Sequence, residues 1–290
     1  MSKTLTAKPL RILAIAAAIC LLPATRAFAD TDSVSAKALQ RPVTGFYNLE
    51  IGRRSDLNTY LSPLRYSGTD LALSGLWTKS LPCNPQHLSM TFETRLNMAS
   101  MTSSARMGRE YDFHAFLSWG MMWQKRLPNN LTAGVGGSLG VYGGAVYNIR
   151  NSNNPVAAQA MTGIALNAMA SWHFRIGRLP ILLADRLSLP SLNIFFMPEY
   201  GESYYEIYLG NRRNLVHPGW WGNNFGIDNL LSLTLDFGKT AMQLGYRFSW
   251  QDSFANHLTG RTLRHAFVIG VVPGGLGLKK KNNDSISPLF

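Results

Sequence analysis

The sequence predicts an all-β fold: a transmembrane, antiparallel, up-and-down β-barrel of about twelve strands, or ten if weak segments merge, behind an N-terminal signal peptide. Three observations predict it. The chain opens like an export leader. Long stretches alternate between apolar and polar residues. The connections between those stretches sort into a short set and a long set that alternate along the chain.

The leader comes first. Lys3, Lys8 and Arg11 precede an uncharged apolar run from Ile12 to Leu22, which Pro23 ends; Ala27, Phe28 and Ala29 supply a small-x-small cleavage site. The run is too short to span a membrane, and cleavage is expected after Ala29. The leader carries four of the positive charges (Lys3, Lys8, Arg11, Arg26) and no acid, so the formal +12 of the chain becomes +8 for residues 30–290. Those residues keep one cysteine, Cys83, which excludes an internal disulfide. A basic exported chain suits anionic lipid headgroups better than nucleic acid. No later stretch is apolar for long enough to form a membrane helix.

Residues 30–43 read as a short polar periplasmic lead-in. The expected strands then run 44–52, 66–78, 87–99, 109–125, 130–142, 160–176, 180–188, 191–197, 203–210, 226–237, 241–251 and 262–272, with a periplasmic or disordered tail from residue 273. In 88–98, Leu88, Met90, Phe92, Leu96 and Met98 share one face, while Ser89, Thr91, Glu93, Arg95 and Asn97 share the other. In 111–124, Tyr111, Phe113, Leu117, Trp119, Met121 and Trp123 oppose Asp112, His114 and Ser118. In 131–141, Leu131, Val135, Leu139 and Val141 oppose a glycine-rich face. In 164–176, Ile164, Leu166, Trp172 and Phe174 oppose Asn167, His173 and Arg175. Leu231, Leu233, Leu235 and Phe237 oppose Ser232, Thr234 and Asp236, and Met242, Leu244, Tyr246, Phe248 and Trp250 oppose Gln243, Gly245 and Arg247. Alternation is weakest over 180–210. Several runs are about twice the usual soluble strand length. At roughly 3.3 Å per residue and a tilt near 40°, about 11 residues cross the apolar band of an outer membrane. Aromatic residues near the run ends, among them Trp77, Trp119, Trp172 and Trp250, suit interfacial girdles.

Short connections fall near 81–86, 126–130, 177–180, 198–202 and 238–240. Longer ones fall near 53–65, 100–108, 143–158, 211–225 and 252–261, with a tight turn at Ser188–Pro190 as the sixth outer link. Twelve strands put every short connection at one end and both termini in the periplasm, the pattern of a membrane barrel.

Three stretches, "TYLSPLRYSG" (59–68), "FFMPEYGESYYEIYLGNR" (195–212) and "GNNFGIDNLLSLTLDFGK" (222–239), together resemble an uncharacterised family of bacteroidete outer-membrane β-barrel proteins, classed as a domain of unknown function. The resemblance implies location and architecture, with no catalytic or ligand-binding residues to carry over. Outer-membrane barrels often end their last strand on an aromatic assembly signal. Phe290 lies about 18 residues beyond the last expected strand.

With lipid outside, the polar faces turn inward. The expected lumen-lining residues are Glu93, Arg95, Asp112, His114, His173, Arg175, Asp236 and Arg247, with Glu50, Asp70, Glu206, Asp228 and Arg264. Two readings follow: a narrow passive pore for small polar solutes, or a structural and binding barrel plugged by paired charges. A third reading is an outer-rim hydrolase in which Asp112 and His114 activate water. The spacings give no metal site and imply no cofactor. Outer-loop arginines Arg53, Arg54, Arg212 and Arg213 are expected to contact phosphates of the outer leaflet. The expected partners are outer-membrane lipid and lipopolysaccharide and the barrel-assembly machinery, with no nucleic acid.

Overall fold

The computed structural model describes residues 41–151 and 154–276. The leader, its cleavage site, the lead-in before residue 41 and the tail beyond residue 276, Phe290 included, lie outside the described residues. Eleven strands follow one another: β1 (Thr44–Asn58), β2 (Arg65–Ser80), β3 (Leu88–Ser103), β4 (Arg109–Leu127), β5 (Leu131–Asn148), β6 (Val156–Ile176), β7 (Leu179–Phe196), β8 (Val216–Trp220), β9 (Asn224–Asp236), β10 (Thr240–Ala255) and β11 (Leu258–Pro273). One short helix, α1 (Tyr204–Tyr208), lies between β7 and β8. Consecutive strands pair antiparallel from β1 to β7. β7 then pairs β9, and β9, β10 and β11 continue in order. β11 returns to β1 through the register Tyr47↔Val271 to Asn58↔Gly260, so the sheet closes on itself. The result is a ten-stranded barrel with β8 as an added short strand. Closure leaves no edge, which is what lets a sheet exist in lipid.

The wall takes the ten-strand count rather than twelve, because 180–210 differs from the strand-by-strand expectation in two places. Ser188–Pro190 is not a turn. Pro190 lacks an N–H, yet the chain stays extended through it. Ala165 pairs Pro190 while Ile164 pairs Leu192, so Ser191 is absorbed as a bulge and 179–196 is one strand. Residues 203–210 are not a strand. "SYYE" is a capping box: Ser203 Oγ accepts from Glu206 N at 3.2 Å, and Ser203 N donates to Glu206 Oε2 at 2.7 Å. With these two changes, 198–202 becomes part of a long link, not a short inner turn.

β8 pairs only the upper part of β7 (Leu192–Phe196), and β9 pairs only the lower part (Ile181–Ser188). Opposite Leu189–Ser191 the β7–β9 ladder is interrupted. There Trp221 Nε1 donates to Pro190 O at 2.8 Å. The segment 217–224 therefore laces the wall.

We call the end where β1 begins the terminal end and the other the loop end. Links at the terminal end cover 81–87, 128–130, 177–178 and 237–239; those at the loop end cover 59–64, 104–108, 149–155, 197–223 and 256–257. One segment, 197–223, carries most of the length asymmetry. The expected long loop at 252–261 is a two-residue turn, with Asn256 (φ 50°) and His257 (φ 59°) in the left-handed region that such hairpins need.

The outer surface is apolar. Leu49, Leu73, Val135, Leu139, Ile164, Leu231 and Ile269 are exposed there, as are Trp172 and Trp250 towards the rims; Trp119, expected near a rim, is exposed at the middle of β4 opposite Leu139. Trp77 is an exception. It is 3% exposed because it lies against the wall over Gly45 and Gly75, with its Nε1 donating to Tyr47 Oη at 3.2 Å. For LSMTFETRLNM, β3 places Met98 half-exposed to the outside and Asn97 buried inside. The barrel is therefore wrapped in an apolar band of the kind that only lipid matches.

The position of Ile269, between Leu49 and Leu244, gives a test. Ile269→Arg is expected to destabilise the barrel by about 2–4 kcal/mol, the cost of a cation at mid-bilayer. Equilibrium unfolding in lipid vesicles measures it; a change within error would mean that this face does not meet hydrocarbon.

Candidate functional site

Inward-facing positions follow from strand period alone: Glu50 and Arg54 on β1, Asp70 on β2, Glu93 and Arg95 on β3, Asp112 and His114 on β4, Asp228 on β9, Arg247 on β10 and Arg264 on β11. Ten strands at about 4.8 Å spacing and about 40° tilt give a backbone radius near 10 Å, so inward side chains from opposite walls meet.

They meet as two charge clusters. In the first, Arg264 Nη1 lies 2.7 Å from Glu50 Oε2 and its Nε donates to Asp70 Oδ2 at 2.5 Å. Arg247 reaches Glu50 Oε1 at 3.2 Å, Glu93 Oε1 at 3.2 Å and Asp228 Oδ1 at 2.6 Å. Arg95 binds Asp228 Oδ2 at 2.8 Å and Glu93 Oε1 at 3.3 Å, and its guanidinium lies 5.3 Å from the Phe116 ring. Ser74 and Ser249 hydroxyls donate to Glu50 and Asp228 at 2.6 Å each. Three guanidinium groups thus serve four carboxylates, the condition under which buried charge is tolerable.

The second cluster lies towards the loop end. Arg54 Nε binds Asp56 at 2.8 Å and its Nη1 donates to Asp112 Oδ1 at 2.9 Å. His114 Nδ1 contacts Asp112 and lies 3.2 Å from Arg54 Nη1, while Nε2 is 2.7 Å from Gln159 Oε1. His114 also stacks on Tyr142 at 4.7 Å. Both ring nitrogens are engaged and the residue is 2% exposed. The pair lies inside the lumen, not at an open rim.

The ends are closed differently. At the terminal end Phe46, Leu76, Leu182, Ala241, Val272 and Leu276 form an apolar stopper. At the loop end Tyr60, Leu61, Val146, Ala157 and Leu258 cluster, with Met197 and Tyr204 packed on them. Tyr60 Oη donates to Glu202 O at 2.6 Å, and Ala158 N donates to Tyr204 Oη at 2.6 Å. Burial pushes the Tyr60 hydroxyl above its usual pKa, which keeps it protonated as a donor.

Other expected site residues lie elsewhere. Asp236 is fully buried at the terminal end, where its Oδ1 accepts from Gly238 N at 2.8 Å in the β9–β10 turn. His173 is half-buried near the same end, and Arg175 is exposed there. Glu206, placed in the lumen by the strand reading, is exposed on α1, where Ser203 holds its carboxyl below the usual range. Arg54 does not reach a leaflet: β1 continues six residues past the expected end at Gly52, and period two turns Arg54 inward to 4% exposure. Arg53, Arg212 and Arg213 are exposed. Arg186 on β7 faces the lumen and was missed, because poor alternation over 180–210 hid its face.

Among the described residues no group of acids, histidines and cysteines is arranged to hold a metal. Between the clusters and the β4–β7 wall is a cavity of about 210 Å³, with a smaller one of about 70 Å³ nearer the cap.

Removing one member of the first cluster leaves its partners uncompensated. Arg247→Leu is expected to cost about 3–5 kcal/mol, since Glu50, Glu93 and Asp228 all lose a cation. Circular-dichroism melting and the folded-to-unfolded gel shift check this; wild-type stability would show that the cluster does not hold the strands.

The transport unit of the autotransporter AIDA-I from Escherichia coli is similar, at 7% identity over 89% of this chain and 97% of its own, with a TM-score of 0.44. The translocator domain of the autotransporter NalP from Neisseria meningitidis is similar at 9% identity over 94% and 99%, TM-score 0.38. The outer membrane protease OmpT from Escherichia coli is similar at 6% identity over 84% and 99%, TM-score 0.42. No curated protein matches the sequence. The family described as "Protein of unknown function (DUF3316)" matches residues 13–282, and the chain belongs to that family.

Proposed function

We propose that this protein is a closed structural and binding barrel of the outer membrane, not a pore. The observation that carries the reading is the double closure: an apolar stopper at the terminal end and a hydrogen-bonded aromatic cap at the loop end. A solute would have to displace packed side chains at both ends to pass. The terminal end faces the periplasm, as the short links expect. The charge clusters serve to hold opposite walls together. Asp112 and His114 belong to them: a general base needs a free nitrogen within reach of its substrate, and both His114 nitrogens are occupied beneath the cap.

The purified barrel in planar bilayers is expected to be electrically silent and to leave peptide and lipid substrates intact. Stable single-channel steps from the wild type would overturn closure. Turnover abolished by His114→Ala would overturn the non-enzymatic role.

Exposed Arg53, Arg212 and Arg213 at the loop end are proposed to hold phosphates of lipopolysaccharide, because guanidinium forks match them. Replacing all three with Ala is expected to reduce the lipopolysaccharide retained on the purified barrel several-fold in native mass spectrometry; equal retention would assign them to solubility.

A further inference from the structure

The 210 Å³ chamber is lopsided. Arg54, Arg95, Arg186, Arg247 and Arg264 all line it, against only two carboxylates, Glu93 and Asp228. The other acids of the clusters lie outside its lining. Four of those arginines are bound to carboxylates. Arg186 is different. Among the described residues it forms no ion pair, and its side chain makes one weak hydrogen bond, from Nη2 to Met169 Sδ at 3.8 Å. Glu93 is near enough for its charge to be felt but is bound by Arg95 and Arg247 instead. A guanidinium that faces a cavity with no carboxylate bound to it is the unusual element, since cations inside a protein are normally paired.

The rest of the lining mixes apolar surface with neutral polar side chains such as Asn97, Asn167, Asn193 and Gln251. Phe116, Met122, Met161 and Leu230 line it, and Gly140 leaves the β5 wall bare, while its partner Gly163 on β6 makes way for the adjacent Asn193. An engineered apolar cavity of about 150 Å³ holds a benzene molecule, so this chamber admits a single ring with a short charged substituent.

We propose that the chamber is a binding site for a small amphipathic organic anion: a carboxylate carried on one aromatic or similarly compact apolar group. The carboxylate takes the Arg186 guanidinium, whose planar fork matches it in two parallel hydrogen bonds. The ring lies between Phe116, Met161 and the bare wall at Gly140. This deepens the binding-barrel reading and rests on it only for the chamber's enclosure. The two fail separately: conductance tests closure, ligand binding tests the chamber.

The test is equilibrium dialysis of radiolabelled benzoate against the barrel in lipid nanodiscs, with empty nanodiscs as reference. One-site saturable binding of benzoate is expected. Benzamide, which lacks the charge, and inorganic phosphate, which lacks the ring, are each expected to compete at least tenfold more weakly. Arg186→Met is expected to lose at least tenfold in affinity while keeping the folded gel shift. Met161→Trp, which fills the chamber and leaves Arg186 in place, is expected to abolish binding and decides the matter if Arg186→Met does not fold. Benzoate retention equal to that of empty nanodiscs, equal competition by benzamide, or undiminished binding when the chamber is filled would overturn the proposal.

Discussion

The pairing of β1 with β11 is the contact on which every other feature depends. Without it the chain is an open sheet with two unpaired edges, a state lipid does not tolerate. Closure has a charged counterpart directly behind it. Arg264 on β11 binds Glu50 on β1 and Asp70 on β2, and Arg247 on β10 binds Glu50 from the next strand. The side chains thus bridge the seam where the first and last strands meet. These strands are also farthest apart in sequence, so their loop-closure entropy is the largest that the fold overcomes. Placing the ion pairs at that seam puts strong directional contacts where the ladder closes last along the chain.

Charge and space are then divided around the barrel. The β9–β11 and β1–β3 walls supply most of the arginines and carboxylates of the first cluster. The β4–β7 wall supplies glycine, methionine and small polar residues. Its inward glycines differ in purpose. A Cβ on Gly136 would lie 2.1 Å from Met121 O and one on Gly144 2.2 Å from Phe113 O, so those positions permit close strand approach. A Cβ on Gly140 would meet nothing nearer than the Phe116 ring at 3.3 Å, so that position opens room. One glycine-rich strand therefore both bends the wall and leaves the chamber.

Much of this architecture was legible in sequence because a barrel in lipid imposes one simple rule, alternation, over runs long enough to read. The clean strands, β3, β4, β6, β9 and β10, lie where that rule holds at most positions, with inward Phe116, Met122, Met161 and Leu230 among its exceptions. It failed over 180–210 because two local signals point the wrong way. Pro190 reads as a turn when the strand runs on through it into a bulge at Ser191, and the tyrosine-rich "SYYEIY" reads as a strand when its capping box makes a turn of helix. Inward charges were legible by face, as for Glu93, Arg95 and Arg247. Their partners were not, because Arg95 and Asp228 are 133 positions apart and are joined only by the barrel's radius. Arg54 was misread for another reason: strands continue beyond the apolar band, where hydrophobicity no longer marks them but period two still does.

The two closures rest on different physics, and the difference bears on how the lumen works. Charges lock the middle of the barrel, where low dielectric strengthens each pair and penalises any vacancy. The terminal stopper is an apolar cluster that needs no directional partner, with polar side chains such as Thr78, Asp236 and Gln243 buried beside it. The loop-end cap packs link residues such as Tyr60, Leu61 and Tyr204 on strand ends and is held by neutral hydrogen bonds such as Tyr60 to Glu202, individually worth about 1 kcal/mol net. The charged middle is therefore the costliest part to rearrange, and the cap the least costly. The interruption of the β7–β9 ladder at Pro190 falls on the same side as the chamber, whose lining includes Pro190, Gly226 and Ile227. Breaking ion pairs is thus not required for a molecule to reach the chamber: its weakest boundaries are the cap and that stretch of wall, where the Trp221–Pro190 hydrogen bond stands in for the ladder.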